Sequence, residues 1–91
     1  DQQSDAYAAA VAARDAGDAA KAKAAFTTIS QGGSKAYRAM ALMQLGGFAL
    51  EAEDVKGAVA LFDQAADAGA DPIITDAARL KSAFALMDTA P

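Results

Sequence analysis

The 91 residues carry 8 basic and 12 acidic side chains, a formal charge of −4, and neither cysteine nor histidine. That balance lacks the Lys/Arg cluster a nucleic-acid binder needs. It also excludes disulfides and thiolate metal sites and removes the commonest general base and metal ligand.

Apolar residues make up 54% of the chain. Much of that is alanine, the best helix former and a weak filler of cores, so closely packed helices in one small domain are predicted. No unbroken apolar run, neither Ala6 to Ala13 nor Ala39 to Met43, comes near the ~20 residues that span a bilayer. The chain opens on Asp1 rather than Met and shows no signal-peptide pattern, so it reads as an excised or processed piece.

Punctuation predicts five helices. The first runs from about Ser4 to Ala16, with Gly17 in the C-terminal glycine position. Asp18 caps a second, which continues to about Ser30, and Gln31-Gly32-Gly33 breaks the chain. Ser34 caps a third helix reaching to about Glu53, and Asp54 caps a fourth that ends near Ala68, just before Gly69. Asp71-Pro72 opens a fifth, a capping Asp followed by Pro at the first helical position, extending to about Thr89.

An internal repeat organises these helices. The stretch Gly17 to Phe26 aligns with Glu53 to Phe62 at a constant offset of 36. The caps (Asp18, Asp54), the small residues (Ala22, Ala58) and the aromatics (Phe26, Phe62) coincide. The cap starts a second helix, the alanine lets it approach its partner, and the phenylalanine one turn on fills the space between. Repeat one is assigned to residues 3–33, repeat two to 34–70, and an unpaired helix to 71–89. Between Ala36 and Leu50 the third helix is apolar nearly all round, which places it in the middle of the stack. Lys56, Asp63 and Asp67 on the fourth helix, with Lys21, Lys23, Thr27 and Thr28 on the second, form a solvated back.

These residues resemble the tetratricopeptide repeat. Leu45-Gly46 precedes Ala58 at the spacing of that pattern, and Phe62 and Ala65 follow in place. The first repeat departs from it, with Ala10 at the glycine position and Ala13 at the tyrosine position. The resemblance implies an all-α stack of antiparallel helical hairpins, here two hairpins plus an unpaired C-terminal helix.

The stretch from Ser34 to Pro91 is similar, more narrowly, to the YfgM-like tetratricopeptide proteins. The residues that carry it are Tyr37 to Met43, Glu53 to Ala58 and Asp71 to Leu80, and Ala85 to Thr89 resembles alphaproteobacterial members. Members of that family are anchored to the bacterial inner membrane by one helix and associate with the Sec translocon. The resemblance therefore implies a periplasmic location and a role in assisting secreted proteins or their chaperones, with any membrane contact made by a segment outside this chain.

Stacked hairpins line a concave surface with the first helix of each repeat. In this register the surface takes Tyr7, Val11 and Arg14 from the first helix, and Met40, Met43, Gln44, Gly47 and Leu50 from the third. Arg79, Ala83, Leu86 and Met87 come from the fifth. Methionines suit an adaptable apolar groove for a protein or peptide segment. The same residues at helical spacing also serve as ordinary core. Some tetratricopeptide domains grip an acidic C-terminus through a Lys/Asn clamp. Here Tyr7, Val11, Met43 and Gly47 occupy those positions, so that role is not expected.

No enzymatic chemistry is predicted. Asp63 and Asp67 lie one turn apart on the solvated stripe, Asp15 and Asp18 flank a glycine and serve capping, and Gly32-Gly33 lacks the rest of a phosphate loop. No cofactor or metal is implied. A second reading is self-association, with the fifth helix pairing with another copy because an incomplete repeat leaves an apolar face uncovered.

Overall fold

The computed structural model describes residues 1–89, which form five α-helices and no strand. They are α1 (Gln2–Asp15), α2 (Ala19–Ser30), α3 (Lys35–Glu51), α4 (Val55–Asp67) and α5 (Pro72–Met87). Each starts at a side chain that accepts a bond from an amide left free by the helix itself. Asp18, Ser34, Asp54 and Asp71 take the amides of Lys21, Tyr37, Gly57 and Ile74. All four were predicted as caps. The first helix begins earlier than Ser4, because Asp1 accepts from the Ser4 amide at 2.8 Å. At the other ends α3 stops at Glu51 and α5 at Met87, two residues short of the predicted limits.

The 36-residue offset continues into backbone geometry. Gly17 takes φ +82° and Glu53 φ +61°. The amide of Gly17 bonds to the Arg14 carbonyl and that of Asp18 to the Ala13 carbonyl. Glu53 and Asp54 repeat the pair with Leu50 and Ala49. This double bond with a left-handed residue closes the helix end, and the next residue is already the cap of the following helix. One three-residue link thus reverses the chain twice.

Consecutive helices pack on one another, giving the all-α stack of helical hairpins expected from the repeat. The stack measures 44 × 30 × 17 Å between Cα atoms. Its thickness fits two helix layers with axes roughly 10 Å apart. As the all-round apolar pattern predicts, α3 is central, touching each of the other four helices.

Alanine makes this close packing possible. Among the described residues, every buried apolar side chain other than Phe26, Phe48 and Phe62 is alanine. The repeated residues sit where their spacing requires, with Ala22 and Ala58 fully enclosed beside Phe26 and Phe62. Tyr7 meets Phe26 edge-on at 5.5 Å between centroids, and Phe48 lies 6.5 Å beyond Phe26. Aromatic rings therefore fill the first hairpin's seam with α3, while Phe62 fills the second.

The solvated back is present, with Lys21, Lys23, Lys56 and Asp67 all exposed. Asp63 does more than face water. Its Oδ1 accepts a bond at 2.6 Å from the buried Ser82 hydroxyl on α5.

Candidate partner-binding groove

The face where α1, α3 and α5 come together holds a groove of about 720 Å³. From α3, Met40, Met43, Gln44, Gly47 and Leu50 line it, which is the whole set predicted for that helix. Tyr7 and Arg14 enter from α1 and Met87 from α5. The chain has three methionines, and all three open onto this one groove.

The wall between α1 and α3 is a connected polar network. Gln44 Nε2 donates to the Tyr7 hydroxyl at 3.1 Å. Gln44 Oε1 in turn accepts from the Arg14 guanidinium, whose Nη2 reaches Glu51 Oε1 at 2.8 Å. The same guanidinium lies 4.4 Å from the centroid of Phe48, a distance at which a cation is attracted to the ring face. Arg14 is therefore bound on three sides and acts as a brace between α1 and α3. The guanidinium also lies beside Gly47, at a distance that would put an added Cβ in ordinary contact with it.

Opposite that network, the α5 wall mixes apolar and charged groups. Lys81, Phe84, Ala85 and Asp88 line it together with Met87, and Phe62 contributes part of the floor. Sequence reasoning missed these five. It assigned Arg79, Ala83 and Leu86 instead by carrying the α3 positions forward by one repeat. Arg79, Ala83 and Leu86 are exposed, but they lie outside the groove. Ala78, Ser82 and Ala85 pack inward, and this rotation turns the Lys81–Ala85–Asp88 edge towards α3. Val11 is also absent from the groove lining, because it packs into the aromatic cluster around Phe26. A period of seven at Lys81 and Asp88, with Phe84 and Met87 beside them, was available in the sequence but could not be told from a solvated edge.

The groove offers thioether and aromatic surface on its floor, with Arg14 and Lys81 as cations and Glu51 and Asp88 as nearby carboxylates. Such a site suits an elongated apolar segment with a few polar groups. Among the described residues no group of acidic side chains gathers with metal-ligand geometry, and no helix is long and apolar enough to cross a membrane. Comparisons with protein-family models, curated proteins and solved structures find no match for this chain.

Proposed function

We propose that this chain is a non-catalytic scaffold of tetratricopeptide type that holds a protein or peptide segment in the α1–α3–α5 groove. The observation that carries this reading is the convergence of Met40, Met43 and Met87, from two different helices, on one open groove. Methionine side chains are flexible and polarisable and adapt to varied apolar partners. The braced Tyr7–Gln44–Arg14 wall supplies a rigid edge against which a segment can be held.

The resemblance to the YfgM-like proteins extends the proposal to setting. It makes the chain the periplasmic part of a protein anchored in the inner membrane, assisting secreted or translocating proteins and their chaperones. No nucleic acid, cofactor or metal enters this function.

Because all three methionines line the groove, methyl-labelled methionine reports on it directly. Titration with unfolded apolar peptides should shift the three methyl resonances together, and Met43→Glu should abolish both the shifts and the binding. Binding that leaves the methionine methyls unmoved would sink the groove as the site. Recovery of periplasmic proteins on the immobilised chain, equal for the native protein and Met43→Glu, would count against the function itself.

A further inference from the structure

We propose that α5 pairs with α5 of a second copy as a parallel, in-register two-helix seam. Ile73, Ala77, Leu80, Phe84 and Met87 follow the spacing four, three, four, three, which is the apolar repeat of a two-stranded coiled coil. The stripe is uncovered: Ile73 is 82% exposed, Leu80 56%, Phe84 58% and Met87 67%. On their outer faces α2 exposes Lys21 and Lys23, and α4 exposes Lys56, Asp63 and Asp67. By contrast, α5 presents its large side chains, on a different face from the buried Ala78, Ser82 and Ala85. Contiguous apolar surface of this kind marks an interaction site.

Charge selects the partner and its direction. Asp76 sits immediately before the stripe residue Ala77, and Lys81 immediately after Leu80, so the two flank the seam on opposite edges. They are five residues apart, the spacing at which edge side chains of parallel partner helices meet. In a two-fold pair each Asp76 meets Lys81 of the other copy, so one helix supplies both halves of two ion pairs. Neither residue has an ion-pair partner within the described chain. The next pair of flanking positions, Ala83 and Asp88, opposes no like charges. An antiparallel pair centred with Leu80 against Phe84 instead brings the two Lys81 side chains together, which disfavours it. Ala77 at the seam lets the helix axes approach, and Phe84 and Met87, which also line the groove, are shared between the two surfaces.

Sedimentation equilibrium of the chain at rising concentration tests this, with the mass expected to climb from 9.1 kDa towards twice that value. Leu80→Glu lies outside the groove and should hold the mass at 9.1 kDa. Its helical circular dichroism should be unchanged. Asp76→Lys and Lys81→Asp should each weaken association about fivefold, and the two together should restore it. In a chain without cysteine, Ala77→Cys should form a disulfide between copies on mild oxidation. Ala60→Cys, on the exposed outer side of α4, should not. A strict monomer, which would leave the stripe for a different helix, overturns the proposal. So does a dimer that survives Leu80→Glu, or a double exchange that associates no better than the single variants.

Discussion

The ring of Phe62 lies directly on Gly46, closing the hairpin between α3 and α4. A Cβ at Gly46 would overlap the ring, and Phe62 is 2% exposed and packed against Ala58 and Ala85. Alanine would favour the helix by up to ~1 kcal/mol, but forcing a methyl into a packed core costs roughly 1–3 kcal/mol. The overlap wins. Gly46→Ala is expected to lower the thermal midpoint, measured by circular dichroism, despite its better helix propensity. Ala10, which takes the equivalent place in the first hairpin, is already buried there, so Ala10→Gly should also destabilise, by about 1 kcal/mol or somewhat more.

Glu53 and Gly17 hold the same position in the two repeats, and only one of them is suited to it. A left-handed backbone costs a residue with a Cβ roughly 1–2 kcal/mol, and glycine escapes most of that. Glycine also gains freedom in the unfolded chain, which offsets part of the benefit. Glu53→Gly should therefore stabilise by about 0.5–1 kcal/mol, and Gly17→Ala should destabilise by about 1 kcal/mol. Urea unfolding of both variants checks the opposite signs, and a loss of stability in Glu53→Gly would contradict the argument.

The bond between Ser82 and Asp63 is unequal in its consequences. Ser82 is buried and Asp63 is exposed. Removing the hydroxyl leaves a carboxylate that water can serve, so Ser82→Ala should cost only a few tenths of a kcal/mol. Removing the carboxylate leaves a buried hydroxyl to fall back on its own helix carbonyls, so Asp63→Ala should cost about 1 kcal/mol. Equilibrium unfolding of the two single variants measures the difference, and equal losses would show that the bond is solvated.

At the other side of the groove, Arg14 should matter more than its ion pair. The pair with Glu51 is 2.8 Å long, but the Glu51 side chain is 63% exposed, and exposed pairs contribute ~0–1 kcal/mol. Glu51→Gln should shift stability by no more than about 0.5 kcal/mol. Arg14→Ala uncovers Phe48 and frees Gln44, and should cost about 1–2 kcal/mol. Arg14→Lys should recover little of that loss, because an ammonium cannot reach Gln44 and Glu51 while lying flat on the ring. Thermal melts of the three variants, repeated at high salt, separate the packing part from the screened part.

The groove variants follow the same geometry. Met43 is half-buried on α3 between the two walls, and a carboxylate there faces thioether and aromatic surface. Met43→Glu should leave helix content intact while lowering stability by about 1 kcal/mol. A cooperative melt with native-like helix content confirms that any lost peptide binding belongs to the groove.

The elements that depend on neighbours in the chain were determined by the sequence alone. Asp18, Ser34, Asp54 and Asp71 cap their helices because a short side-chain oxygen reaches an amide three residues away wherever the chain enters a helix. The offset of 36 between Asp18–Ala22–Phe26 and Asp54–Ala58–Phe62 set the hairpin repeat for the same local reason. The central place of α3 was also legible, since a helix apolar on all sides must be covered on all sides. Its groove residues, Met40, Met43, Gln44, Gly47 and Leu50, followed from the repeat register, which puts the first helix of each hairpin on the concave face.

Only the tertiary structure decided how α5 is rotated. Its alanines and single serine carry too little contrast to show which face turns inward. The choice of Ala78, Ser82 and Ala85 was made by their fit against α4 and by the reach of Asp63. That rotation put Lys81, Phe84 and Asp88 on the groove in place of Arg79 and Ala83. It also left the stripe from Ile73 to Met87 facing outward. Local chemistry sets where a helix begins and ends, whereas the face it buries is settled by the surfaces it meets.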